Sequence, residues 1–179
     1  MKSDACADTA PAPTLESVYH EHFGFICRAL RGLGVSSDAI DDAAQEMLFV
    51  VHRRLSEFEP QTSLRGWLFR IASHVASNHR RSTRRRHQRE RESVETVLRS
   101  PGPEAAIEGK QAFQLVEQFL ATLDEGHRAV FVLVLMEQLP ATEVAAALEL
   151  PVNTVYSRVH VLRRCFRSLL AHHYQEGSR

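Results

Sequence analysis

The sequence predicts an all-α fold in which two small helical domains are joined by a flexible linker, the second of them containing a helix-turn-helix. Apolar residues recur three and four positions apart along most of the chain, as they do in amphipathic helices. No pair of segments has the alternating pattern of partner strands. The stretch 139–167 adds two helices separated by a tight turn. A chain of 179 residues is long enough for two such domains, each with its own core.

Composition and charge narrow the class of protein. The 22 basic and 22 acidic side chains cancel, but they are banded: the net charge is −5 over 1–51, +7 over 52–99, −6 over 100–150 and +4 over 151–179. Two basic surfaces could therefore contact one polyanion at two places. No apolar run approaches the roughly 18 residues of a membrane span, and no secretory signal is recognisable. Three widely spaced cysteines match no zinc motif, so we expect a cytoplasmic protein with reduced thiols.

The first module, residues 14–91, follows a short N-terminal tail. Residues 1–13 of this tail are polar and rich in alanine and proline, so we expect them to be disordered. Its first helix begins at Thr14 and ends near Gly32, because glycine commonly ends a helix. A second helix follows the capping run 36–38, and a third begins after the loop 58–62. The predicted buried positions are Leu15, Val18, Ile26, Ala29, Leu30 and Leu33, then Ile40, Ala43, Ala44, Met47, Val51 and Leu55, then Leu64, Trp67, Leu68, Ile71, Ala72 and Val75.

A dense arginine run, 79–91, follows the third apolar pattern, and nothing apolar interrupts it. It could be a solvated or disordered tail. Seven arginines in this run favour contacts with a phosphate backbone instead. Residues 92–109 have no sustained period and contain Ser100-Pro101-Gly102-Pro103, so we expect them to form the linker.

The second module, residues 110–174, has helices expected at 110–123, 125–138 and 141–148, and a last one from Val152 or Asn153. The apolar run 129–136 could be a buried strand by composition, but its helical surroundings favour a fully buried helix.

The helix-turn-helix is indicated by the break at Pro151, because proline and the residue before it disfavour helix continuation. After it, Val152, Val155, Val159 and Leu162 form an apolar row, and Pro140 suits the start of the preceding helix. Polar and basic side chains then face outward, as in a helix that lies in a major groove. A plain helical hairpin with a solvated basic face is the alternative.

Both modules carry motifs that resemble those of extracytoplasmic-function (ECF, group four) sigma factors of bacterial RNA polymerase. Residues 42–49, DAAQEMLF, are similar to the family's D-x-x-Q-E-x-F helix, and 63–72, SLRGWLFRIA, to its S-F-x-x-W-L-x-x-I-A segment. Residues 123–128 and 139–163 resemble the segments that recognise the minus-thirty-five element. The likeness extends from about Thr14 to Leu170 in the family's order. It departs at Tyr156 and Val161, where the family often has basic residues.

The resemblance implies three sets of binding residues. Core polymerase would bind Asp42, Gln45, Glu46 and Phe49. The minus-ten element, opened into a single strand, would contact Arg65, Trp67, Arg70, Asn78, His79, Arg80, Arg81 and Arg84, with a flipped base held by a loop around Asn78 and His79. The minus-thirty-five duplex would contact Asn153, Thr154, Tyr156, Ser157, Arg158, His160, Arg163 and Arg164.

Each set has a plainer reading. The acidic face of residues 42–49 could simply be solvated, although Phe49 beside carboxylates is typical of a protein interface. Trp67 could equally belong to the core or stack on a base. We predict no catalytic group, metal or cofactor, because no nucleophile, phosphate-loop or metal-ligand pattern stands out.

The sequence therefore predicts an alternative sigma factor that binds core RNA polymerase and promoter DNA, does not insert into membranes and is controlled by an anti-sigma factor. A stand-alone helix-turn-helix regulator is the alternative, and an enzyme acting on nucleic acid is a third class.

Overall fold

A computed structural model describes residues 12–59, 62–92 and 107–176. Seven α-helices make up most of these residues, and no strand occurs among them. The predicted tail, apart from residues 12 and 13, lies outside the described residues, as do residues 93–106 of the predicted linker 92–109. The ends of that predicted linker are wrong, because residue 92 belongs to one helix and residues 107–109 belong to the next. Within the described ranges, no helix has the length and hydropathy needed to cross a bilayer.

Three helices form the first module: α1 (Leu15–Gly32), α2 (Ile40–Arg54) and α3 (Leu64–Glu92). Thr14 caps α1 through a reciprocal capping box with Ser17, because each side chain accepts the other residue's backbone N–H. A 3₁₀ turn at Ser37–Ala39 precedes α2. The predicted apolar positions are buried or half-buried, which confirms the helical periods in this module.

Helix α3 corrects the expectation that the arginine run follows the third helix. The helix continues without a break from Leu64 to Glu92, so the run 79–91 is part of it. No proline or glycine occurs in residues 67–92, and arginine is a good helix former. Asn78 and His79 therefore lie within a helix, and the expected base-binding loop around them is wrong.

The second module consists of α4 (Ile107–Thr122), α5 (Glu125–Val130), α6 (Ala141–Leu148) and α7 (Val152–Glu176). Asp124 caps α5 by accepting the backbone N–H of His127 at 2.9 Å. Helix α6 ends at Leu148, and the left-handed conformation of the next residue, Glu149 (φ +54°), makes the turn that leads to α7. The helix-turn-helix thus lies at the predicted residues, and Val155, Val159 and Leu162 are buried as expected.

The apolar run after α5 forms a π-helical turn, Phe131–Met136, rather than a strand. Phe131 packs against Phe119 and Phe166 of its own module, with ring centroids 5.2 and 5.6 Å apart. Val132 faces the other way and contacts α1 of the first module. Both modules pack against the run, which explains its apolar character and confirms a helical segment rather than a strand. Residues 131–133 are buried, but 134–136 are only half-buried, so the prediction of full burial is wrong for them.

The two modules share one hydrophobic core, and we call this the closed arrangement. Helix α6 packs on α3, and the π-helical turn packs on α1. Two glycines of the first module allow the close approach: a Cβ on Gly32 would lie 2.7 Å from Cγ2 of Val132, and one on Gly66 would lie 3.0 Å from Cβ of Ala147. This packing extends the two-domain prediction, which did not include contact between the modules.

Candidate polymerase and promoter interfaces

Helix α2 presents the four residues predicted to bind polymerase on one exposed face, which we call the docking face: Asp42, Gln45, Glu46 and Phe49. The side of α2 that carries Ala43, Ala44, Met47 and Val51 is buried, so the docking face points away from the core. Phe49 is 63% exposed, although an aromatic side chain is costly to leave in water. Exposure of Phe49 among carboxylates favours a protein-binding surface over a solvated helix face.

Trp67 is a core residue in this structure. Its side chain is only 8% exposed and packs edge-on against Phe58, with ring centroids 5.6 Å apart. The ring therefore has no free face on which an unpaired base could stack in the closed arrangement. Of the two readings left open by the sequence, the geometry favours packing.

The other predicted minus-ten residues lie along one long helix. Asn78 and Arg81 are exposed, while His79 is half-buried and its Nε2 lies 3.0 Å from Oε2 of Glu46. This pair joins the docking face to the minus-ten set. The side chain of Arg84 lies outside the described part of the chain.

Three predicted minus-ten arginines bind carboxylates of the second module. Arg65 donates to Glu137 at 2.7 Å, and Arg80 donates to Glu125 at 2.7 Å and to the carbonyl of Leu33 at 2.8 Å. Arg70 lies 3.6 Å from Glu149. In every pair the base comes from the first module and the acid from the second, so the alternating charge bands of the sequence meet in space.

Glu137 is the centre of the contact between the modules. Its side chain is 2% exposed, and it is the one buried charged residue in the described part of the chain. Arg28 donates to both of its carboxylate oxygens, from Nε at 2.7 Å and from Nη2 at 2.9 Å. The hydrogen bond with Glu137 raises the pKa of Arg28, partly against the effect of burial. Such a fork is the strongest arrangement of these two groups, and Arg65 adds a third hydrogen bond.

Sequence reasoning missed both Arg28 and Glu137. Each is an ordinary charged residue on a helix or at its end, and they are 109 positions apart. The available signal was the opposite charge of successive bands, which predicts attraction between segments without naming a pair.

Helix α7 leaves its predicted DNA-binding face open. Asn153, Tyr156 and Ser157 are exposed, and so are His160, Arg163 and Arg164, while Thr154 and Arg158 are half-buried. Arg158 donates a long hydrogen bond of 3.4 Å to the carbonyl of Gly126, which directs it toward its own module. The remaining side chains form a polar, cationic surface along the start and middle of the helix. Arg65, Arg70 and Arg80 form ion pairs between the modules, whereas within the described residues no ion pair joins these α7 side chains to the first module.

An apolar groove of about 710 Å³ runs beside this face in the second module. Phe131, Leu135 and Phe166 line it, and so do His160 and Arg163. Two of the predicted minus-thirty-five residues are therefore next to apolar surface as well as solvent.

Comparison with known proteins assigns a family to both modules. The model of sigma-70 region 2 matches residues 18–86, and that of sigma-70 region 4 matches residues 113–165. Together they cover more than half of the chain. The chain belongs to the sigma-70 family of RNA polymerase sigma factors. Among its relatives, the ECF RNA polymerase sigma factor SigE of Mycolicibacterium smegmatis is 29% identical over 97% of this chain and 68% of its own length. The predicted membership of the ECF group is confirmed.

Two solved structures share the fold. CnrH, solved in complex with the cytosolic domain of CnrY, has a TM-score of 0.66 and 24% identity over 88% of this chain and 87% of its own. RpoE of Bartonella quintana, in complex with the anti-sigma factor NepR, has a TM-score of 0.67 and 20% identity over 87% and 96% of the two chains. These structures confirm the all-α fold predicted from the sequence.

Proposed function

We propose that this sigma factor binds core RNA polymerase through the docking face and directs it to promoters by contacting two DNA elements. The observation that carries the proposal is the pair of exposed surfaces on separate family-matched modules. One is the acidic and aromatic docking face on α2, and the other is the cationic face of α7. A stand-alone repressor would need the second surface but not the first.

The docking face supplies an apolar anchor within a charged rim. Phe49 would enter a pocket on polymerase, while Glu46 and Asp42 meet basic groups around it. Burial of one exposed aromatic side chain contributes roughly 1.5–3 kcal/mol, enough to make it a principal contact.

At the upstream element, α7 would lie in the major groove. Asn153 and Ser157 are near its N-terminus, where a recognition helix contacts base edges, and Arg163 and Arg164 lie two turns further on, where they can reach phosphates. At the downstream element, the exposed Asn78 and Arg81 of α3 would contact the opened strand and its backbone.

The role of the chain is binding, and polymerase performs the chemistry. We further infer that an anti-sigma factor controls it, since RpoE, with the same fold, is bound to the anti-sigma factor NepR. Such a partner would cover the docking face and compete with polymerase for it.

Run-off transcription with purified core polymerase tests the proposal. Adding the protein to fragments of its own genome should produce transcripts of defined length, whereas core polymerase alone should not. Absence of initiation from every fragment, combined with sequence-specific DNA binding by the protein alone, would indicate the stand-alone regulator instead.

A further inference from the structure

Glu46 of the docking face is bound by a residue of a different helix. Nε2 of His79, on α3, lies 3.0 Å from Oε2 of Glu46 on α2, and the two residues are 33 positions apart in the chain. A carboxylate accepts hydrogen bonds and donates none, so Nε2 carries the hydrogen and donates it. Nε2–H is present both in this neutral tautomer and in the charged ring. The hydrogen bond therefore exists in both forms of the imidazole.

His79 is the more buried member of the pair. Its side chain is 23% exposed, whereas that of Glu46 is 46% exposed. The ring also lines a small cavity together with Ser36 and Ala39, which lead into α2. A glutamate on an exposed helix face has several staggered rotamers open to it. The contact with a more buried ring restricts Glu46 to one orientation and still leaves it accessible to a partner.

The same contact directs His79 away from the exposed side of α3. The family resemblance assigns His79 to the opened minus-ten strand together with Asn78 and Arg81. Those two residues are exposed, and successive residues of a helix point about 100° apart. The carboxylate of Glu46 would also repel a phosphate that approached the ring. His79 is thus better placed to serve the docking face than the DNA strand.

We propose that His79 is a positioning residue for polymerase binding, which holds the Glu46 carboxylate in the orientation that meets a basic group of polymerase. The proposal rests on the proposed function for the identity of the partner, but the hydrogen bond belongs to the chain on its own. A side chain that is already ordered loses less conformational freedom on association, so the complex is tighter. His79 acts through Glu46 and does not need to touch polymerase.

Affinity for core polymerase in the absence of DNA tests the role of His79. His79→Leu removes the donor, and we expect the Kd for core polymerase to rise by about threefold, the scale of one partly exposed charged pair. His79→Gln keeps an N–H donor and should recover most of this loss. His74→Leu, at an exposed position of the same helix, is the matched control and should leave the Kd unchanged. An unchanged Kd in His79→Leu, or an equal rise in His79→Gln, would overturn the proposal.

A double-mutant cycle tests whether His79 acts through Glu46. In a Glu46→Ala background the carboxylate is absent, so adding His79→Leu should not raise the Kd further. A direct contact of His79 with polymerase, or a general effect on folding, would give the same rise in both backgrounds. Equal rises would therefore overturn the proposal.

The hydrogen bond can be observed in the full-length chain without polymerase. Nitrogen chemical shifts of isotope-labelled histidines distinguish a protonated from an unprotonated ring nitrogen, and His79→Gln identifies the signals of His79. We expect Glu46→Ala to shift these signals. Glu57→Ala is the control and should not shift them, because Glu57 accepts from Nε of Arg54 instead. Unchanged signals in Glu46→Ala would overturn the proposal, whereas a parent chain that shows the hydrogen bond but does not bind core polymerase would contradict the proposed function.

Discussion

Arg65 donates a hydrogen bond from Nη2 to Oε2 of Glu137 at 2.7 Å, joining residues 72 positions apart in the two modules. The same guanidinium lies over the ring of Phe25, 4.7 Å from its centroid, which fixes its orientation. We assign Arg65 to promoter DNA, and it cannot bind Glu137 and a phosphate in one geometry. The closed arrangement and the DNA-bound state therefore compete for this residue.

Truncation of Arg28 and truncation of Arg65 should have different effects on promoter affinity. Arg28 donates to Glu137 but belongs to no predicted DNA surface, so Arg28→Ala should weaken the packing between the modules and leave the promoter affinity of the holoenzyme unchanged or raised. Arg65→Ala should lower that affinity by about tenfold, since loss of one charge-assisted contact to phosphate is worth roughly 1.4 kcal/mol. Fluorescence anisotropy with labelled promoter DNA measures both. Equal loss in the two variants would contradict the division of roles.

The docking face should bind polymerase independently of DNA recognition. Replacing Gln45 and Glu46 together by alanine removes two exposed side chains without disturbing the core, and we expect core affinity to fall by about tenfold or more. Binding of the full-length chain to upstream duplex DNA should not change. Glu57→Gln, exposed in the same module, serves as the control. Equal loss of polymerase and DNA binding would contradict the assignment.

The outer face of α7 should determine which upstream element is chosen. Ser157→Ala or Arg163→Ala should change the preferred sequence, because a base contact discriminates by roughly 1–3 kcal/mol. Ser168→Ala, exposed further along the same helix, should not. Selection of bound sequences from a pool with a randomised upstream element gives the comparison. Identical preferences in all variants would remove Ser157 and Arg163 from the recognition surface.

Asp124 should make the stability of the second module depend on pH. The backbone and side-chain hydrogen bonds from His127 lower the pKa of Asp124 below its ordinary value of 3.8. A carboxyl group whose pKa is lower in the folded than in the unfolded state adds stability at pH values above its unfolded-state pKa. This stability is lost as the pH falls through the folded-state pKa. The carboxylate is 66% exposed, so solvent screening keeps the electrostatic part small.

Two substitutions separate the cap from the charge. Asp124→Asn keeps a capping group and should lose only the pH-dependent stabilisation, so its unfolding midpoint should converge with that of the parent chain as the pH falls below 3.8. Asp124→Ala removes the cap, so its free energy of unfolding should also be lower by about 1 kcal/mol at neutral pH. Thermal unfolding followed by circular dichroism over this range measures both. A constant difference between parent and Asp124→Asn at every pH would contradict the role of the charge.

Local patterns were sufficient to predict most helices and the outward face of α7. The apolar rows that include Ile40 in α2 and Val155 in α7 were predicted correctly. A helix with one buried side needs apolar residues at fixed spacing, whatever it packs against. The end of α3 was predicted wrongly, since an arginine-rich segment without glycine or proline has no local signal that separates a continuing helix from a loop. The base-binding loop placed at Asn78 failed for the same reason.

Contacts between the modules could not be predicted from local patterns. Gly66 and Ala147 carry no special signal alone, and their contact depends on the orientation of α6 on α3. Glu137 follows an apolar run, and its burial could be inferred only by knowing that Arg28 and Arg65 face it. The charge bands indicated that segments of opposite charge attract each other, but composition alone does not identify the residues that pair.

Opening of promoter DNA at a defined distance from an upstream contact tests the central claim most directly. Permanganate reactivity of unpaired thymines, measured together with footprinting of the duplex on one selected promoter, detects both events. We expect protection of the upstream element and reactive thymines downstream of it only when core polymerase and this chain are both present. Upstream protection with no reactive thymine in the presence of polymerase would contradict the account.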